Sequence, residues 1–131
     1  MKKTLLLLSV ISIFGCSGSD DSDNVLSDVA TLNPPEWIQG TWLLDGDDNH
    51  GFRFTTDDVC IISFSLSACN KAQLEQFAGT EIVTEVRERI TALEYEVEIT
   101  VGGHTTEYEF EKYQGGIMWA NNSSHPVYIK Q

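Results

Sequence analysis

Positive charge is the scarcest ingredient of this chain: Lys and Arg total 8 against 20 Asp and Glu, a formal net charge of −12. A surface that acidic repels the phosphates of nucleic acids and anionic lipid headgroups, so no nucleic acid is expected as a partner. Long apolar runs are also missing, because the one extended run, from Leu5 to Phe14, is too short to cross a bilayer as a helix. There is no Gly-x-Ser-x-Gly, no His-Glu-x-x-His, no P-loop and no dinucleotide fingerprint. His50, His104 and His125 each fall in or beside a predicted turn, where histidine is ordinarily solvated. The expectation is a protein that is not an enzyme and needs no metal or cofactor. Asp45-Gly-Asp-Asp-Asn49 begins like a calcium loop, with oxygen side chains at 45, 47 and 49. His50 then stands where such a loop needs glycine and Thr56 where it needs a bidentate glutamate, so turn chemistry accounts for the segment.

What is present begins with an address. Lys2 and Lys3 precede the apolar run, which ends at Gly15-Cys16, the layout of a secretory signal. Ile13-Phe14-Gly15-Cys16 resembles the lipobox of bacterial lipoproteins. That resemblance implies cleavage before Cys16, acylation of its thiol and attachment to a membrane through the lipid. Ser17 after the cysteine is similar to the outer-membrane sorting pattern of Gram-negative lipoproteins, and Asp20-Asp21 to a surface-export signal. The periplasmic and cell-surface faces of the outer membrane both stay open. Residues 17–24, Ser-Gly-Ser-Asp-Asp-Ser-Asp-Asn, contain no apolar side chain and read as a solvated tether. The expected division is therefore a signal peptide over 1–15, the acylated Cys16 and acidic tether over 16–24, and one domain over 25–131. Loss of Lys2 and Lys3 with the signal would take the charge from −12 to −14.

Of the 3 cysteines, Cys60 and Cys69 remain after Cys16, an even pair in an oxidising compartment, and a disulfide is expected. Closing a loop of about ten residues would stabilise the fold by roughly 2 to 3 kcal/mol in the chain-entropy picture. Two unpaired buried thiols are the alternative.

Within the domain, apolar residues recur with a period close to two and turn residues intervene at short intervals, which predicts an antiparallel all-β fold. Strands are expected over 37–44, 50–55, 58–66, 80–90, 93–101, 104–112, 116–120 and 127–131. Residues 70–77 read as one short helix with Asn70 as N-cap, its Leu74 and Phe77 on one face. Gly102-Gly103 is the clearest hairpin turn and pairs residues whose numbers sum to 205. Tyr95, Val97, Ile99, Tyr108 and Phe110 then share one face, while Glu94, Glu96 and Glu98 oppose Glu111, Glu109 and Glu107 on the other. A two-residue turn at Thr91-Ala92 would set Arg89 opposite Glu94 and Arg87 opposite Glu96. A solvated outer wall explains this acidic face better than a cation site, since regular strands splay carboxylates apart. Strands with one apolar and one charged face are expected to curl into an eight-stranded up-and-down barrel; a β-sandwich is the alternative.

Gly40-Thr41-Trp42, preceded by Trp37-Ile38-Gln39, resembles the Gly-x-Trp motif that opens the barrel of lipocalins and their calycin relatives. In that family a basic side chain of the last strand crosses the tryptophan, which implies Lys130 as the partner of Trp42 in a motif of Gly40, Trp42 and Lys130. The resemblance implies non-covalent binding or transport of a small apolar or amphipathic ligand inside the barrel. Parity places Trp42, Phe52, Phe54, Phe64, Tyr95, Tyr108, Phe110 and Trp119 inside, so any cavity is small. Trp42, Phe54, Tyr95, Tyr108, Phe110 and Trp119 are the expected ligand contacts. Glu88 and Lys112 would orient a polar head or snorkel at the rim. The competing expectation is a filled barrel whose acidic face engages a basic envelope protein.

Overall fold

The computed structural model describes residues 29–131. The signal peptide, Cys16 and the tether lie outside the described residues. A 3-10 turn, Glu36–Ile38, leads into β1 (Gly40–Leu44), β2 (Asp47–Phe54), β3 (Val59–Ser63) and β4 (Leu66–Cys69). Helix α1 (Asn70–Phe77) follows, then β5 (Thr84–Ile90), β6 (Glu94–Val101), β7 (His104–Tyr113), β8 (Gly116–Trp119) and β9 (Val127–Lys130). All nine strands form one antiparallel sheet in the order β4-β3-β2-β1-β9-β8-β7-β6-β5. The fold is thus all-β with one short helix, as the alternation predicted. A single curled sheet removes the sandwich alternative, and among the described residues the strand count is nine rather than eight.

The extra strand is β4, which begins where the strand expected over 58–66 was to end and takes in residues 67–69, expected in no strand. Phe64 takes a left-handed φ of 56°, which turns the chain so that Leu66–Cys69 returns along β3, with Cys69 directly opposite Cys60. Phe64 therefore leaves the interior, where parity had placed it, and is 67% exposed. Cys60 and Cys69 form a disulfide across β3 and β4. The Arg53 guanidinium covers it, with Nη2 3.7 Å and 3.6 Å from the two sulfurs.

The sheet wraps without closing by a β-ladder: β4 and β5 are its two edges. In sequence α1 joins those edges, and its Leu74, 1% exposed, enters the core together with Leu32 from the segment before the 3-10 turn. Side chains from outside the sheet thus join its core. The helix is held at its start by Asp58, whose Oδ1 accepts the N–H groups of Asn70 at 3.1 Å and Lys71 at 2.9 Å. This carboxylate, remote in sequence, supplies the cap expected of Asn70 and satisfies donors that the first helical turn leaves free.

The β6–β7 register is the one the hairpin rule predicts, with Tyr95 opposite Phe110 and Glu96 opposite Glu109. The β5–β6 register differs. Ile90 pairs with Tyr95, so the connection is four residues, Thr91 to Glu94, and Arg89 faces Glu96 while Arg87 faces Glu98. Thr91 stabilises this wider turn: its Oγ1 accepts the Glu94 N–H at 2.9 Å and its own N–H donates to Glu94 O at 2.9 Å. A shift of two residues keeps every side chain on its expected face.

Candidate functional site

The six aromatic residues read as ligand contacts all belong to or pack against one core, and five of them, all but Trp42, contact one another. Phe54, Tyr95 and Phe110 are at most 1% exposed, Trp42 and Tyr108 are 6% exposed, and Trp119 packs against this core. Phe52 is the hub, with ring centroids at 5.8 Å to Tyr108, 4.9 Å to Phe110, 5.3 Å to Trp119 and 5.1 Å to Tyr128 in edge-to-face arrangements that aromatic pairs favour. The middle of the half-barrel is packed by side chains. The Trp119 indole N–H is buried there without a hydrogen-bond partner among the described residues.

Glu88 lies on the inner face of β5, as parity predicted, and is occupied. Its carboxylate accepts the Asn33 N–H at 3.0 and 2.9 Å, the Asn33 amide at 3.2 Å and the Tyr95 hydroxyl at 2.6 Å. This knot ties the N-terminal segment to β5 and β6. Burial first, then the hydrogen bond to Glu88, push the Tyr95 phenol well above its ordinary range. Lys112 also lies on the inner face, at the end of the sheet away from Gly102, with Nζ 4.9 Å from the centre of the Trp37 ring. Lys130 Nζ lies 5.6 Å from the centre of the Trp42 ring, and its side chain runs along Gly40, where a Cβ would come within 2.8 Å of Lys130 Cε.

One concave region lies at the opposite, open end. A cleft of about 490 Å³ lies between α1 and the tips of β6 and β7. Phe77, Ile82, Ile99 and Val101 give it an apolar lining, and Gln73 and His104 stand among its polar groups. Its size falls in the range typical of small-molecule sites, and a mostly apolar surface with a few polar groups is their usual composition. Of these residues, Phe77 was visible on the apolar face of the helix and Ile99 on the inner face of the hairpin. The site itself was missed because its two walls lie about thirty residues apart in sequence and meet only once α1 is placed, a relation no local period encodes.

On the convex face the glutamates form the wall that the register predicted. Arg89 bridges two of them, with Nη2 2.7 Å from Glu94 and 2.6 Å from Glu96, while Arg87 pairs with Glu85 at 2.7 Å. The hydrogen bond from Arg89 holds the Glu96 carboxyl below its ordinary value of 4.5. Partial burial, then the charges of Glu96 and Glu107, push Glu109 upward. A carboxyl depressed in the folded state contributes stability above its unfolded pKa and loses it as pH falls through the folded value. We therefore expect Arg89→Gln to lower Tm at pH 7 and the gap to the parent protein to shrink as the pH falls toward 3. A gap independent of pH in thermal melts would mean that Arg89 acts through packing alone. At Asp47, the Asn49 N–H at 2.9 Å and the His50 ring at 2.8 Å engage the carboxylate, so this part of the acidic loop is bound into its own turn.

No known protein family, curated protein or solved structure matches this chain. Among the described residues no helix is long and apolar enough to cross a membrane.

Proposed function

We propose that this chain is an exported lipoprotein, anchored to the outer membrane through Cys16, whose curled sheet binds one small apolar or amphipathic molecule non-covalently. The binding site in this reading is the cleft between α1 and the β6–β7 tips, and the observation that carries it is the cleft's apolar lining at a volume of about 490 Å³. The mechanism is burial of apolar ligand surface at about 25 cal/mol per Å². Gln73 and His104 would receive the polar part of the molecule. The contact of Lys130 with the Trp42 ring at the other end supports the lipocalin-like reading.

The test uses the unacylated chain carrying Cys16→Ser and the neutral fluorescent probe N-phenyl-1-naphthylamine. Saturable binding is expected, and Phe77→Ala should weaken it about tenfold, equivalent to about 1.4 kcal/mol. Phe77 is only half-buried, so the variant should remain folded. Absence of saturable binding, or affinity unchanged in Phe77→Ala, would overturn the assignment. The packed aromatic core favours a second reading, in which Glu94, Glu96, Glu109 and Glu111 engage a basic envelope protein. Such a complex should dissociate as salt rises, whereas probe binding in the cleft should hardly respond.

A further inference from the structure

The end of the half-barrel opposite the cleft carries a second constellation. A pocket of about 290 Å³ is lined by Trp37, Trp42, Lys112 and Tyr113 together with the Gly115-Gly116 turn. Gly116 leaves bare backbone there for a steric reason: a Cβ would lie 2.5 Å from Tyr128 O. Both indole N–H groups are committed, Trp37 to Thr91 O at 3.0 Å and Trp42 to Ile38 O at 2.7 Å, which locks the rings in place and leaves only apolar ring surface to offer.

The distribution of positive charge singles out this end. Among the six described Lys and Arg residues, Lys71, Arg87 and Arg89 are bound to carboxylates and Arg53 covers the disulfide. The other two, Lys112 and Lys130, have no carboxylate within 4.0 Å among the described residues, and each lies over one of the two tryptophans. A protein with net charge −12 should attract cations to an aromatic pocket, yet here the Lys112 ammonium, over the Trp37 ring, already occupies the cation's place. The pocket thereby excludes cations and favours a flat apolar ring bearing an acid group.

We propose that this closed end is a second binding site, one for a small planar aromatic carboxylate. Trp37, Trp42 and Tyr113 supply ring contacts, and Lys112 at the pocket's exposed margin pairs with the acid. The site is separate from the cleft and does not depend on it.

The experiment is calorimetric titration of the unacylated Cys16→Ser chain with 2-naphthoate and, in parallel, with its uncharged methyl ester, tryptophan fluorescence serving as a second readout. The acid is expected to bind at least tenfold tighter than the ester. Lys112→Gln should abolish that preference and Lys112→Arg should keep it, both variants melting as the parent does. Phe77→Ala, in the distant cleft, should leave naphthoate binding unchanged. Raising the salt should weaken the acid and not the ester, because the ammonium is exposed. Equal affinity for acid and ester, a preference that survives Lys112→Gln, or no binding of 2-naphthoate to the parent chain would each overturn the proposal.

Discussion

Truncating Phe52 to alanine should cost about 3 to 5 kcal/mol in chemical denaturation, the range for removing a fully buried aromatic ring from a core that cannot collapse around the void. Phe52 is 2% exposed, and the rings of Phe54, Tyr108, Phe110, Trp119 and Tyr128 all lie within 6.0 Å of its centroid. Those partners come from β2, β7, β8 and β9, so the sheet's two flanks meet on this one side chain. A domain near 100 residues loses roughly 4 to 8 °C per kcal/mol, which puts the expected drop in Tm above about 12 °C. Phe64→Ala is the internal comparison, because Phe64 is 67% exposed and its substitution should fall within about 0.5 kcal/mol. Similar losses for the two variants would mean that the aromatic cluster is not the centre of the fold.

The contrast between these phenylalanines also shows how far the sequence could be read. Alternation put both inside, and for Phe52 that holds because β2 is regular between residues 51 and 54, each paired with both β1 and β3. Phe64 sits where the alternation stops counting, in a left-handed turn that a non-glycine residue seldom adopts and that no residue preference announces. The same logic separates the two hairpins of β5, β6 and β7. Gly102-Gly103 specifies its turn through glycine chemistry, and the register followed. Thr91-Ala92 has no such signal; the wider turn is chosen by the Thr91 hydroxyl capping Glu94 N–H. The opening between β4 and β5 was illegible for a third reason. Leu32 and Leu74 join the core from outside the sheet, one from a segment with no periodicity and one from a two-turn helix, and their convergence is a product of tertiary packing.

The candidate sites divide similarly. Inner-face parity correctly located Glu88, Lys112 and the aromatic set, because parity survives any register shift of two. Parity does not say whether an inward side chain meets a cavity or another side chain. Glu88, read as a possible ligand contact, is spent on Asn33 and Tyr95, and the aromatic residues fill the space they were expected to line. Concave space is left at the two ends, beside α1 and beside Trp37 of the 3-10 turn.

Gly51→Ala should be at least as damaging as Phe52→Ala, although it adds a single methyl group. Its Cβ would lie 2.0 Å from Trp42 O and 3.0 Å from Leu43 Cα, contacts with backbone that no side-chain rotation can relieve. The position is special because the β1–β2 register slips there: Leu43 pairs with Gly51, and Leu44 already with Asp47. Residues 48 to 50 bulge out, and the bend brings the two backbones too close for any residue but glycine. Since β1 is hydrogen-bonded to β2 on one side and β9 on the other, displacing it disturbs both ladders and the Trp42–Lys130 contact together. Overpacking against side chains ordinarily costs 1 to 3 kcal/mol, and against backbone we expect about 3 kcal/mol or more, seen as a lowered denaturation midpoint or failure to accumulate folded protein. Gly103→Ala, with nothing within 4 Å of its Cβ, should melt like the parent. If Gly51→Ala also melted like the parent, the close approach of β1 and β2 at the bulge would be refuted, and with it the bend that starts the curl of the sheet.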